Sequence, residues 1–252
     1  MTILRQKMIE DLQLAGLSPN TQRTYIHAVR QLAEYYGKSP DKIGEEELRA
    51  YFLDLKNNPA VSRSTVNVAI CGIKFFYRQT LKRDDQVFNL VRPRREKELP
   101  MVLSVEEVQA ILGCIRTPYY QTCLSTIYAC GLRTREGTHL RVQDIDSQRM
   151  VIYIHLSKRG KSRYVPMPMR ILEALRRLWI THRHPVWLFP ARDRGEINPE
   201  AKAPISEMSV RKAFAAALRE SGVEKQVSVR TLRHSYATHL LEAGVNLRVI
   251  QA

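Results

Sequence analysis

The chain is 252 residues long, which is enough for one large domain or two of ordinary size. Hydrophobic residues make up 44% of it, so a packed core is possible and a disordered chain is disfavoured. Lys and Arg number 40 against 25 Asp and Glu, which gives a formal net charge of +15. Such a balance favours a polyanionic partner, most often nucleic acid, although a merely basic surface has the same composition.

The four cysteines are well separated and lie in apolar, helix-like runs, which indicates reduced thiols in a cytoplasmic protein. Neither they nor the histidines show the spacing of zinc ligands, so we expect no metal site. The N-terminus goes straight into a charged amphipathic pattern without a signal peptide. No apolar run approaches the length of a membrane span, so we expect no membrane partner.

Residues 1–83 carry the pattern of four short helices joined by tight links. Apolar residues recur at helical spacing, Ser18-Pro19 is typical of a helix start, and Gly16 and Gly37 are placed to end helices. The predicted helices span about residues 3–14, 19–36, 45–55 and 62–81. This part of the chain is therefore predicted to be an all-α domain.

Residues 84–103 differ in character from the helices before them. Arg92-Pro93-Arg94-Arg95 interrupts the helical pattern, which predicts an extended, basic linker. An extended basic linker can lie along a phosphate backbone, but a solvated tether has the same sequence pattern.

Residues 104–252 are predicted to form a second domain, of α+β type. Ser104-Val105-Glu106-Glu107 is a capping box that opens it. The period then changes to two at residues 150–155 and 163–166, which predicts an antiparallel hairpin with a short basic turn. Helices are predicted at about residues 105–114, 119–129, 169–182, 208–220 and 230–243, with another from Asn246 to Ala252. Residues 185–204 contain prolines and a glycine and are predicted to be a loop. The fold class is thus mainly α with a small antiparallel sheet.

Four basic residues stand in contexts that favour a phosphate site. Arg133 follows a glycine break near a helix N-terminus, Lys158 lies in the hairpin turn, and Arg230 and Arg233 open the last long helix. Guanidinium groups bind phosphate oxygens in a bidentate manner, and such a site can support phosphoryl transfer without a metal ion. The alternative is ordinary surface charge, with Arg133 paired to Glu136 one turn on. Basic residues of the linker and the hairpin are candidate DNA contacts: Arg92, Arg94, Arg95, Lys161 and Arg163.

Three sequence blocks contain these positions. The first is Gly131-Leu-Arg-x-x-Glu136, followed by Asp144-Ile-Asp146; the second is Lys158-x-x-Lys161-x-Arg163-x-Val-Pro166; the third is Leu232-Arg-His-x-x-Ala-Thr-His-Leu-Leu241. With Ser18-Pro-Asn-Thr-x-x-x-Tyr25 near the start, they resemble the tyrosine recombinases, the family of phage integrases and chromosome-dimer resolvases. The blocks occur in that family's order and spacing, so the resemblance covers nearly the whole chain.

The resemblance implies a SAM-like core-binding domain at residues 1–83 and a catalytic domain at residues 104–252. In that family two arginines, matched by Arg133 and Arg233, clamp the scissile phosphate, and a lysine, matched by Lys158, protonates the leaving 5′ oxygen. A tyrosine attacks the phosphate to give a 3′-phosphotyrosine link, and no metal, ATP or other cofactor is needed. The implied partner is double-stranded DNA, bound by a homo-oligomer.

Two features depart from the family's pattern. Arg230 stands where the family has a histidine, and an arginine, with a pKa above about 12, is a poor proton carrier. The family's nucleophilic tyrosine, and the C-terminal helix through which its members assemble, are expected beyond Ala252. We therefore expect little or no strand transfer from residues 1–252, and weakened assembly.

Three functional hypotheses remain. The first is a site-specific recombinase or integrase, and the second is a catalytically inactive DNA-binding remnant or regulator. The third is a metal-dependent transposase, which needs three convergent acidic residues. Asp144 and Asp146 are the only tempting pair, and they fit better as turn residues before a strand. The expected function is therefore site-specific DNA recombination for the family, with DNA binding retained by this chain.

Overall fold

The computed structural model describes residues 2–91, 100–155, 162–193, 195–246 and 248. The chain divides into two compact units, Met1–Glu98 and Leu99–Ala252. The fold is mainly α-helical with small antiparallel sheets, as the sequence predicts. Within the described ranges, no helix is long and apolar enough to cross a membrane.

The N-terminal unit contains the four predicted helices and a short fifth one. They are α1 Ile3–Leu14, α2 Pro19–Tyr36, α3 Glu45–Asn57, α4 Arg63–Phe75, which continues into a π turn over Phe76–Thr80, and α5 Val87–Leu90. Ser18 caps α2, because its hydroxyl oxygen accepts a hydrogen bond from the backbone N–H of Thr21 at 3.3 Å. Gly37 ends α2 with a φ of 62°, the left-handed conformation that glycine adopts without strain.

Helix α5 lies in the stretch predicted to be an extended linker, residues 84–103, and that prediction is wrong for its first part. Val87 and Phe88 are buried in the core of the N-terminal unit. The ring of Phe88 packs edge-on against that of Phe52, with centroids 6.3 Å apart. The unit extends past residue 83 because these apolar side chains complete its core. Three basic residues of the predicted linker fall outside the described residues: Arg92, Arg94 and Arg95.

The C-terminal unit is built from helices and a small antiparallel sheet. The helices are α6 Val105–Gly113, α7 Pro118–Ala129, α8 Thr134–Thr138, α9 Met169–His182, α10 Glu207–Glu220 and α11 Val229–Glu242. The capping box is confirmed, since the backbone N–H of Ser104 donates to Glu107 and that of Glu107 donates to the Ser104 hydroxyl. Leu103, the last residue of the predicted linker, is fully buried in this unit's core.

The predicted hairpin is confirmed as part of a three-stranded antiparallel sheet. Its strands are β1 Ile145–Asp146, β2 Val151–Ile154 and β3 Arg163–Pro166, in the order β1-β2-β3. Ile152 pairs with Val165 and Ile154 pairs with Arg163. Because paired and alternate residues share one face of a sheet, Arg163 lies on the face that carries the buried Ile152, Ile154 and Val165. Residues 156–161 of the hairpin, with Lys158 and Lys161, are outside the described ranges.

Two shorter predictions have different outcomes. Strands β4 Arg192–Asp193 and β5 Glu196–Ile197 pair within residues 185–204, a stretch that the sequence predicts to be a loop. Strands of two residues are too short for alternation to reveal them. The helix predicted from Asn246 to Ala252 lies mostly outside the described residues, which include Asn246 and Arg248.

Candidate phosphate-binding site

Arg133 lies where the chain turns from α7 into α8, at the N-cap of α8. Gly131 makes that turn with a φ of 58°, and a Cβ at this position would lie 2.4 Å from Cδ1 of Tyr236 on α11. Only glycine therefore fits without a shift of the Tyr236 ring, and the left-handed backbone conformation also favours glycine. The glycine break predicted from the sequence thus lets the ring of Tyr236 pack against the turn that precedes Arg133.

Glu136, on α8, lies at the centre of the candidate site. It accepts hydrogen bonds from the backbone N–H of Arg133 at 2.9 Å and from Arg133 Nη1 at 2.6 Å. Arg163, on β3, donates from Nη1 to Oε1 at 3.0 Å and from Nη2 to Oε2 at 2.8 Å. Arg233, on α11, places Nη1 3.7 Å from Oε2. Three guanidinium groups from separate parts of the chain therefore meet at one carboxylate, and we call Arg133, Glu136, Arg163 and Arg233 the arginine cluster.

The charges of the arginine cluster do not balance. Burial raises the pKa of Glu136, but hydrogen bonds from Arg163 and Arg133 outweigh burial and lower it to about 2. Burial is also the largest cause that lowers the pKa of Arg233, and repulsion from Arg133, Arg163 and Arg230 adds to it. One carboxylate thus faces several guanidinium groups, and the excess positive charge favours an anion.

Two of the three arginines keep part of their guanidinium surface open. The side chains of Arg133 and Arg233 are 44% and 33% exposed, whereas that of Arg163 is 17% exposed. A hydrogen bond also fixes the orientation of Arg233, because its Nη1 donates to the carbonyl oxygen of Gly131. Arg133 and Arg233 therefore have exposed side-chain surface that an anion could approach.

Arg230 lies one turn before Arg233 on α11 and is exposed. Its Nε donates a hydrogen bond to Nε2 of His234 at 3.2 Å, so Nε2 of the imidazole carries no proton in this arrangement. The pKa of His234 is lowered by burial and then by the positive charges of Arg230 and Arg233. The neutral imidazole of His234 therefore accepts a hydrogen bond from Arg230, the residue at the position where the family pattern has a histidine.

Glu136 is the residue of the site that the sequence interpretation missed. The sequence predicts it only as a surface ion-pair partner of Arg133, but its side chain is 4% exposed and makes bonds to two arginines. Its place at the third position of a helix that starts after Arg133 is the signal that could have identified it. Lys158 and Lys161 lie outside the described residues, so their predicted roles stay predictions.

Asp144 and Asp146 have contacts within the fold. The buried carboxylate of Asp144 accepts a hydrogen bond from the backbone N–H of Arg141 at 2.9 Å and contacts Nε2 of His155. Asp146 accepts from the backbone N–H of Gln148 at 3.1 Å, as turn residues do. Among the described residues, no group of three or more His, Cys, Asp or Glu side chains is placed to hold a metal ion.

Comparison with known proteins gives the family. Residues 101–252 match the model of the phage integrase family, and residues 4–86 match that of the phage integrase N-terminal SAM-like domain. The putative integrase/recombinase y4qK of Sinorhizobium fredii is 40% identical over 254 residues, covering 100% of this chain and 80% of that protein. The chain therefore belongs to the phage integrase family, the tyrosine recombinases, as the sequence blocks indicate.

More distant proteins match nearly the whole of this chain. Tyrosine recombinase XerA of Thermococcus kodakarensis is 31% identical over 247 residues, covering 95% of this chain and 82% of XerA. A solved structure of a lambda integrase dimer bound to a core site aligns with 100% of this chain and 93% of its own, with a TM-score of 0.76 and 17% identity. At that identity, the likeness supports the fold alone.

Proposed function

We propose that this chain binds duplex DNA and takes part in site-specific DNA recombination, with Arg133 and Arg233 as ligands of the reacting phosphodiester. The observation that carries the proposal is the arginine cluster, in which three guanidinium groups share one buried carboxylate. The excess positive charge has open surface on Arg133 and Arg233. A phosphodiester brings the negative charge and the oxygen acceptors that those two groups are placed to meet.

The chemistry proposed for this site is stabilisation of charge on phosphorus. Charge on the non-bridging oxygens grows as a nucleophile attacks, so fixed guanidinium donors stabilise the transition state more than the ground state. Lys158 is proposed, from its match to the family's lysine, to protonate the leaving 5′ oxygen. Arg230 is proposed to donate a further hydrogen bond to the phosphate. It does not transfer a proton, because its guanidinium stays charged.

The relatives and the composition support the same proposal. The Sinorhizobium relative is described as a putative integrase/recombinase, and the lambda integrase of similar fold was solved on DNA. A net charge of +15 favours association with duplex DNA. A lambda integrase tetramer bound to a Holliday junction has the same fold, with a TM-score of 0.77, and by extension we propose a homo-oligomer on DNA. The four cysteines are thiols, in keeping with the cytoplasm as the proposed location.

The salt dependence of DNA affinity tests the proposed phosphate contacts. The dissociation constant for a fluorescent random-sequence duplex is measured against salt for the unsubstituted chain, Arg133→Gln and Arg233→Gln. Each substitution at a phosphate ligand is expected to lower the slope of log affinity against log salt by about 0.9. Arg219→Gln, on the exposed side of α10, is the matched control for the loss of one positive charge. Slopes that do not differ from the control contradict the assignment of Arg133 and Arg233.

A DNA-binding regulator without strand transfer is the second candidate, and Arg230 favours it. An arginine at this position keeps its charge but lacks the proton-transfer capacity of histidine. The test is incubation with a nicked duplex, selected for binding from a random library, followed by detection of a covalent protein–DNA adduct. An adduct supports the recombinase, and an adduct from Arg230→His alone identifies Arg230 as the disabling residue. Because the tyrosine is expected beyond Ala252, both chains are tested with a C-terminal segment that supplies it, and salt-dependent binding with no adduct from either chain then supports the regulator.

A further inference from the structure

We propose that Arg163 is a positioning residue that holds Glu136 and does not itself contact DNA. This inference rests on the proposed phosphate-binding function of the arginine cluster. It differs from the expectation drawn from the sequence, in which Arg163 is a direct DNA contact of the basic hairpin.

The geometry of Arg163 leaves little of it for a ligand. Both terminal nitrogens donate to Glu136, one to each carboxylate oxygen, at 3.0 and 2.8 Å. This fork-to-fork arrangement is the strongest and most directional pairing that an arginine makes with a carboxylate. The Arg163 side chain is also half as exposed as that of Arg233, at 17% against 33%. The edge of the guanidinium formed by Nη1 and Nη2 is therefore occupied, and little of the rest of the side chain is exposed to a phosphate.

The position of Arg163 on β3 also makes it little available to a ligand. Arg163 is the first residue of β3 and pairs with Ile154, on the buried face of the sheet. Tyr164 is the next residue and is exposed. The alternation of the strand therefore directs Arg163 toward α8. Its bonds to Glu136 link the start of β3 to the helix that follows Arg133.

The charge of Arg163 determines what the other arginines can bind. Glu136 already accepts from Arg133, and Arg233 lies 3.7 Å from one of its oxygens. Without Arg163, two acceptor positions of the buried carboxylate would be left open. Among the described residues, Arg133 and Arg233 are the other cations at Glu136, and a guanidinium drawn further onto Glu136 turns away from a phosphate. By satisfying Glu136, Arg163 thus leaves the remaining N–H groups of Arg133 and Arg233 for a phosphate.

A double-mutant cycle distinguishes this role from direct contact, because the two predict opposite signs. The dissociation constant for a fluorescent duplex is measured for the unsubstituted chain, Arg163→Met, Glu136→Gln and the double variant, with Arg219→Met as the control for the loss of one charge. We expect Arg163→Met to weaken binding about tenfold, and Glu136→Gln to tighten binding more in the Arg163→Met chain than in the unsubstituted chain. Direct contact predicts the reverse: Glu136→Gln frees Arg163, tightens binding by the unsubstituted chain, and does less once Arg163 is gone. That result would overturn the inference.

Folding is followed in the same samples. Both tryptophans, Trp179 and Trp187, lie in the C-terminal unit, so tryptophan fluorescence reports whether that unit is folded. If Arg163→Met does not fold, the cycle is run with Arg163→Lys, which keeps the charge but not the two-pronged contact. Glu136→Gln is then expected to tighten binding by the Arg163→Lys chain more than by the unsubstituted chain, and the opposite order rejects the inference. A chain that shows no salt-dependent binding at all contradicts the proposed function, whereas the wrong sign contradicts only the role of Arg163.

Discussion

The ring of Tyr236 lies against Gly131, so close that a Cβ at residue 131 would lie 2.4 Å from Cδ1 of the ring. The carbonyl oxygen of the same glycine accepts a hydrogen bond from Arg233, a proposed phosphate ligand. The close approach of α11 to residue 131 and the orientation of an arginine of the cluster are therefore decided at a single residue.

Gly131→Ala is expected to destabilise the C-terminal unit by about 2 kcal/mol or more, because a positive φ disfavours alanine and its methyl group meets the ring. Urea unfolding followed by tryptophan fluorescence measures the loss. Gly113→Ala is the control, since a Cβ there meets nothing within 4 Å. In a Tyr236→Ala background, Gly131→Ala should cost less, by the part of the loss that is due to the ring. Equal stability of the Gly131→Ala and Gly113→Ala chains would contradict the close contact.

The lowered pKa of Glu136 predicts a contribution to the stability of the fold that is lost in acid. Its pKa is lowered from an ordinary value of 4.5 to about 2 in the folded chain, so unfolding takes up a proton at intermediate pH. A lowered carboxylate pKa stabilises the fold fully above pH 5, and the contribution is lost as pH falls through the folded pKa near 2. The difference corresponds to about 3 kcal/mol.

The measurement is the free energy of unfolding of the C-terminal unit at pH 7 and at steps between pH 5 and 2.5. Glu136→Gln is expected to flatten this dependence, whereas Glu242→Gln, an exposed residue near the end of α11, should leave it in place. Parallel pH profiles for the unsubstituted chain and Glu136→Gln would show that the carboxylate is not held as described.

His234 predicts a titration that depends on Arg230. Burial lowers the pKa of His234, and the charges of Arg230 and Arg233 lower it further, so the imidazole is neutral at pH 7. Replacing Arg230 with alanine removes one of these causes and should raise the pKa of His234 toward its ordinary value of 6.5. The imidazole resonance, followed by NMR between pH 4 and 8, gives the pKa in each chain. An identical titration in Arg230→Ala and Arg219→Ala would contradict the contact between Arg230 and His234.

Phe88 predicts that α5 belongs to the N-terminal core. The side chain is 1% exposed and packs against the rings of Phe52 and Tyr77. Phe88→Ala is expected to destabilise the N-terminal unit by about 3–5 kcal/mol, from lost burial and the cavity left behind. Leu90→Ala, at a residue that is 67% exposed, is the control. Thermal unfolding followed by circular dichroism should show a lower transition temperature for Phe88→Ala only. Equal transition temperatures for Phe88→Ala and Leu90→Ala would indicate that α5 is not part of the core but of the predicted linker.

The long elements could be predicted because periodicity repeats within them. Helices such as α2 and α9 contain several turns of apolar spacing, and a capping serine or a left-handed glycine marks an end of some of them. The four residues of α5 contain one turn, next to arginines and a proline, so only their apolar character hints at burial. That indication of burial is weaker than the helix-breaking signals in the neighbouring sequence.

For a related reason, the sequence singles out the arginines of the cluster but not the carboxylate that they share. A motif shows which residue types recur at a spacing, as for Arg133 and Arg233, but not which side chains share a partner. Arg163 alternates with Tyr164 and shares its parity with Val165, so the strand pattern already contained the inward direction of Arg163. Its partner Glu136 lies 27 residues earlier, and only the folded chain brings the two together.

Helix α8 has only five residues, fewer than a helix needs to persist by its own hydrogen bonds. Glu136 starts it by accepting the backbone N–H of Arg133 and holds the same arginine's side chain. The side chain of Glu136 thus contributes both to the backbone order of α8 and to the balance of charge in the arginine cluster. A substitution that removes the side chain of Glu136 therefore takes from the arginine cluster its counter-charge and from α8 a hydrogen bond of its first turn.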